Sequence, residues 1–150
     1  SVEKGFLCMT ALRERIEAEF EQIERVLAEL PERRPYSDLS ILELAGVSTL
    51  LHNFYNGIEN ILKHGVQYRE LGVPDGASWH RDLVNLAASE NLISTSTAET
   101  LKPFLAFRHF FVHAYAIDLH SKRLEPLSQK ARDVFASFKI DIERIFLPNQ

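Results

Sequence analysis

The chain is expected to fold as one all-α domain spanning residues 1–150, a bundle of four main helices plus a shorter one. Three observations carry this expectation. Apolar residues recur every three or four positions through four long segments, no segment alternates apolar and polar residues as a half-buried strand does, and turn-forming residues separate the segments at Pro31, Pro35 and the stretch GVPDGAS. A chain of 150 residues buries roughly 68–70% of its unfolded surface, enough for a self-sufficient core.

Ile16, Phe20, Ile23, Leu27 and Leu30 define a first amphipathic helix from about Thr10 to Leu30, stopped by Pro31 and Pro35. A second helix starts near Ser37 or Asp38, whose side chains suit an N-cap, and runs through Leu42, Ala45, Leu50, Phe54, Ile58 and Ile61 to about Leu71. This one is long and central. After the GVPDGAS turn, a shorter helix covers Trp79 to about Ser89 with Ser78 as its cap. Ser96-x-x-Glu99 has the capping-box form, so the fourth helix begins near Thr97 and carries Leu101, Phe104, Leu105, Phe107, Phe111 and Val112. Pro103 inside it lacks an amide proton, and a kink or loosening is expected there. Leu124, Leu127, Ala131, Val134, Phe135, Phe138, Ile142 and Ile145 define the last helix, with Pro126 in its first turn.

Composition narrows the function classes. Cys8 is the sole cysteine, which rules out an intrachain disulfide and a zinc site built on cysteine pairs, and a reducing cytoplasm is the expected location. No apolar run approaches the ~20 residues of a membrane span, and no secretory leader is evident, so no membrane association is expected. The formal charge of -4 argues against a general nucleic-acid binder. Its distribution is uneven, however. The acidic excess lies early, while Lys102, Arg108, Lys122, Arg123 and Lys130 fall late, interspersed with His109, His113 and His120. A small basic site on an acidic body fits this pattern.

The most specific feature is RHFFVHAY, which sets Arg108, His113 and Tyr115 at the spacing R-x-x-x-x-H-x-Y near the end of the fourth helix. An always-charged guanidinium suits the phosphorane of phosphoryl transfer, and an imidazole titrating near neutrality suits proton transfer to and from ribose and leaving-group oxygens. Five positions at about 100° each place Arg108 and His113 about 140° apart on a regular helix, whereas His109 and His113 share a face. Convergence of Arg108 and His113 therefore needs a long arginine and a frayed helix end, or two copies of the helix. A two-fold dimer supplies base, acid and positive charge at one cleft without a metal. The phenylalanine-rich helix bearing Phe107, Phe110 and Phe111 is the expected dimer contact.

Read on its own, the same string is also compatible with an arginine at a helix C-terminus beside two semi-buried histidines. His109-x-x-x-His113 has the spacing of a two-histidine metal site too, but no third ligand is evident and His52, His64 and His80 are scattered, so no metal or cofactor is expected. There is no glycine-rich phosphate loop and no G-x-S-x-G elbow. Glu59 and Lys63 stand one turn apart in the order that favours a surface bridge. Asn53 and Asn56 lie on the same stretch, and Phe54 and Tyr55 are expected as core or dimer contacts.

The R-x-x-x-x-H motif in a small helical bundle resembles that of the HEPN superfamily of helical ribonucleases, and the tyrosine extension resembles HepT toxins paired with a minimal nucleotidyltransferase (MNT) antitoxin. The resemblance extends over most of the chain as architecture and over about eight residues as motif. It implies an up-and-down bundle that is homodimeric, with an endoribonuclease site composed across the dimer. RNA, transfer or messenger, would be cut without metal to a 2′,3′-cyclic phosphate and a 5′-hydroxyl. Arg108 would stabilise phosphate charge, His113 would transfer the proton, and His109, at a position often polar in the family, would assist. Glu59 and Lys63 match a Glu-x-x-x-Lys pair that faces the cleft, and with Asn53 would orient RNA. Tyr115 matches the tyrosine to which the antitoxin transfers AMP, giving a type II-like toxin–antitoxin pair. A non-catalytic HEPN-like protein that binds nucleotide or substrate for a nucleotidyltransferase is the alternative.

Overall fold

The computed structural model describes residues 2–148, the side chains of Val2, Phe6, Leu7 and Ala116 excepted. Five helices build a bundle: α1 (Val2–Glu29), α2 (Ile41–Tyr68), α3 (Trp79–Ser89), α4 (Thr95–His113) and α5 (Ser121–Phe146). Short 3-10 turns at Tyr36–Asp38 and Ala116–Asp118 complete the described elements. No strand occurs among the described residues.

The apolar periodicity of α2 explains its central place, because Leu51, Phe54, Ile58, Ile61 and Leu62 are wholly buried and α2 packs against all four other helices. Ile16, Phe20 and Ile23 of α1, Leu101, Phe104 and Phe107 of α4, and Leu124, Phe138 and Ile142 of α5 close the same core. Gly57 allows a close α1–α2 approach: a Cβ there would lie 2.6 Å from Ile23 Cγ1 and 2.9 Å from its Cδ1.

Helix ends depart from the sequence expectations for local reasons. Helix α1 begins at Val2 rather than near Thr10. The added turns carry exposed Glu3, Lys4, Gly5 and Cys8, which leave no burial pattern, and no proline interrupts them. Helix α2 begins at Ile41 because Ser40, not Ser37 or Asp38, caps it: Ser40 Oγ accepts from the Glu43 amide at 3.1 Å, and Glu43 Oε1 accepts from the Ser40 amide at 3.1 Å. Its end at Tyr68 falls short of Leu71, since Glu70 and Gly72 take φ of 56° and 77°. Helix α3 has the expected bounds, but the Ser78 side chain makes no cap bond.

Helix α4 is capped two residues early. Ser94 Oγ accepts from the Thr97 amide at 3.0 Å, while Glu99, the intended box partner of Ser96, instead receives Lys102 Nζ at 2.6 Å. Buried Asp141 of α5 fixes this corner by accepting from the Ser94 amide at 2.9 Å. Pro126 sits differently from expectation. The helical run of α4 continues through Pro103, and Pro126 is in the second turn of α5, which starts at Ser121. Each ring is exposed, so steric relief is available on the solvent side.

The phenylalanines expected at a dimer contact serve the chain's own packing. Phe107 is buried, Phe111 lies against Phe107 and His52, and the Arg123 guanidinium covers the Phe110 ring at 4.0 Å. The sequence of helix α4 shows no clean polar face, and α2 and the start of α5 cover much of it. Phe54 and Tyr55 are buried in the core as well.

Candidate active site

The site is built where α4 crosses α2 and the start of α3. The periodicity that buries Phe104 and Phe107 turns Arg108 inward to about a quarter exposure, while His109 stays exposed. Below Arg108 lies Glu59 of α2, whose side chain is 4% exposed. Its Oε1 is 4.0 Å from Arg108 Nε, and its Oε2 is 2.6 Å from Nδ1 of His80 in the second position of α3. One buried carboxylate therefore faces a guanidinium and an imidazole, each through its own oxygen.

A surface cavity of about 520 Å³ opens over this cluster. His80 and Arg81 of α3 and Lys102, Leu105, Arg108 and His109 of α4 contribute its wall, together with small residues Ala77, Ser78 and Ala106. No carboxylate lines it; the electrostatic balance comes from Glu59 beneath. A cavity walled by histidine, arginine and lysine side chains and one aliphatic patch suits an anionic ligand with some apolar surface, such as a phosphodiester carrying a base or ribose.

The surroundings respond to these charges. Burial, then the nearby positive charge of Arg108, lowers the pKa of His52 below its ordinary value. Burial, then the negative charge of Glu59, raises that of Tyr55 well above the phenol range, against a smaller opposing effect of Arg108. Tyr55 is thus a neutral wall of the cluster. His64, farther along α2, is also lowered, first by burial and then by Arg15.

The expected site residues divide into two groups. Arg108, His109 and Glu59 come together at the cavity. His113, Tyr115 and Asn53 do not line it. His113 is the last residue of α4, exposed, with its ring 5.1 Å from that of His109, and Tyr115 is 79% exposed just past the helix end. Asn53 is exposed on α2. Lys63 does not bridge Glu59 at the surface; its Nζ lies 4.2 Å from the Trp79 ring centroid, and the Trp79 and His80 rings are 3.5 Å apart. Among the described residues, no three His, Cys, Asp or Glu side chains gather to hold a metal ion.

His80 is the residue that sequence reasoning passed over, since nothing in its local spacing connects it to Glu59 twenty-one positions earlier. The available signal was weak: a histidine one step into a helix, after a glycine-rich turn, in a chain with a glutamate on an otherwise apolar helix face.

Comparison with known proteins gives two matches. The family described as "HepT-like protein" matches residues 46–147, more than half of the chain and all of the cavity wall. A solved structure of YutE, a cytosolic protein of unknown function from Bacillus subtilis, has the same fold with a TM-score of 0.63 and 17% identity, covering 88% of this chain and 91% of that one. No curated protein matches. No described helix is long and apolar enough to cross a membrane.

Proposed function

Because the chain belongs to the HepT-like family, we propose that it is the toxin half of a toxin–antitoxin pair, a homodimeric endoribonuclease that cuts RNA without a metal. The observation that carries this reading is Arg108 held over buried Glu59 in the wall of a cavity otherwise lined mostly by basic and apolar groups. In the reaction the 2′-oxygen attacks phosphorus and the 5′-oxygen departs, so charge builds on the non-bridging oxygens while one proton leaves the ribose and another reaches the leaving group. Arg108 supplies the charge, His113 a proton-transfer group, and His109, on the same helix face as His113, assists.

A composite site is supported by the position of His113, exposed outside the cavity of its own chain. A second α4 across a two-fold axis would bring a second His113 towards the first cavity. Val112, Tyr115 and Ile117 flank His113 as exposed large apolar side chains and offer the contact that the buried Phe107 does not. Tyr115 is accessible to an MNT-type nucleotidyltransferase, and AMP on its hydroxyl would place a phosphate beside the same cleft, in competition with RNA. The net charge of -4 favours a second reading, a non-catalytic nucleotide-binding partner of such an enzyme.

Total RNA incubated with the purified protein in EDTA separates the two, with light scattering on the same sample. The nuclease reading expects cleavage by a dimer; a monomer that binds nucleotide and leaves RNA intact supports the binding module instead.

A further inference from the structure

His80 has the setting of an oriented proton acceptor. Its Nδ1 is 2.6 Å from Oε2 of Glu59, a side chain 4% exposed; in the neutral tautomer that carries its proton on Nδ1, the carboxylate accepts that proton and Nε2 keeps the lone pair. Nε2 has no hydrogen-bond partner among the described residues and is not sealed from solvent, and the ring is part of the cavity wall that Arg108 shares. The Trp79 ring lies against it, centroids 3.5 Å apart and planes tilted by 31°. His109 has none of these constraints: it is exposed and meets only the His113 ring.

We infer that Glu59 and His80 form a carboxylate–imidazole dyad whose Nε2 takes the proton from the attacking 2′-hydroxyl of RNA bound in this cavity, an inference that rests on the nuclease reading above. As the 2′-oxygen bonds to phosphorus, its proton moves to Nε2. The bond from phosphorus to the 5′-oxygen breaks, and that oxygen takes a proton from the imidazolium of His113. Glu59 compensates the charge that appears on His80, and its other oxygen faces Arg108, so one buried carboxylate sets the spacing between the base and the phosphate-binding cation. The charged and titratable groups around His80 are Glu59 and Lys63 from α2, Arg81 from its own helix, and Lys102, Arg108 and His109 from α4.

The test uses the full-length protein, a defined RNA oligonucleotide, and the same RNA with a 5′-bridging sulfur at the cleaved phosphate, a leaving group that needs no acid. His80→Asn keeps an amide donor for Glu59 while removing the base, and a melting curve like that of the wild type shows that the fold is kept. The expected result is a loss of about a hundredfold or more in kcat/KM with disappearance of the acidic limb of its pH profile, neither restored by the sulfur substrate. Glu59→Gln should retain part of the rate and move the acidic limb. A His80→Asn protein with wild-type rate and profile overturns the dyad and leaves the nuclease standing. Rescue by the sulfur substrate overturns it too, by making His80 the acid. Wild-type protein that cuts neither RNA removes the nuclease reading itself, a distinct outcome.

Discussion

Replacing Arg108 by alanine should cost stability as well as activity, because it leaves buried Glu59 without its guanidinium. At the observed 4.0 Å, two unit charges attract by about 1 kcal/mol in water and about 4 kcal/mol at an effective dielectric constant near 20. Arg108 is about a quarter exposed, so water screens part of this, and Glu59 keeps His80 at 2.6 Å. The expected loss is about 1–3 kcal/mol, below the ~3–5 kcal/mol of breaking a fully buried pair. For a chain of this size that corresponds to a Tm lowered by roughly 3–10 °C. Urea unfolding of the wild type, Arg108→Ala, Glu59→Gln and the double variant measures it directly. Removing both charges takes away the orphan, so the double variant should recover about 1 kcal/mol or more relative to the sum of the single effects. Additivity within about 0.5 kcal/mol, with Arg108→Ala as stable as the wild type, would refute the pairing.

Three further outcomes follow from the geometry. Gly57→Ala gains about 1 kcal/mol of helix propensity but presses a methyl into Ile23, for a net loss of about 1 kcal/mol; a stabilised variant in thermal unfolding would contradict the α1–α2 contact. His52 is lowered from 6.5, so the unfolded chain takes up the proton first, and its stabilising contribution is complete above about pH 6.5 and fades as pH falls towards the folded value. His52→Gln should therefore flatten the acid side of the Tm–pH curve between pH 7.5 and 5.5, and Arg108→Ala should raise the His52 pKa seen by NMR; an unchanged curve and pKa would count against both. With an MNT-type nucleotidyltransferase, ATP and magnesium, AMP should appear on the tryptic peptide bearing Tyr115 and cleavage should stop, and Tyr115→Phe should block the mass gain. AMP found only elsewhere would leave Tyr115 without that role.

The helices and most of the core were legible because period-3.6 patterning reports burial directly: Ile16, Phe54, Leu101 and Phe138 are inside as their spacing requires. Caps were legible only to within a few residues. Ser37 and Asp38 were the expected caps of α2, and the reciprocal bond of Glu43 selects Ser40 instead. Arg108, His113 and Tyr115 were legible as a motif with His109 beside it; the structure sets Arg108 and His109 in one cavity wall and His113 and Tyr115 outside it. Glu59 was legible only as half of a local pair with Lys63, the partner one turn away. Tertiary packing gives it Arg108 and His80 instead, forty-nine and twenty-one positions distant. Such contacts leave no local period. Phe107 is buried in its own chain, and an apolar residue facing its own core has the same sequence signature as one facing a second copy.

The central claim is metal-free RNA cleavage that depends on Arg108 and His113, and the end groups of a defined RNA incubated with the protein in EDTA test it most directly. Wild-type protein should yield a 2′,3′-cyclic phosphate and a 5′-hydroxyl, with the yield falling by a hundredfold or more, on the order of a lost acid–base group, in Arg108→Ala and His113→Ala. Intact RNA, a 3′-hydroxyl product, or either variant cutting at the wild-type rate would contradict it.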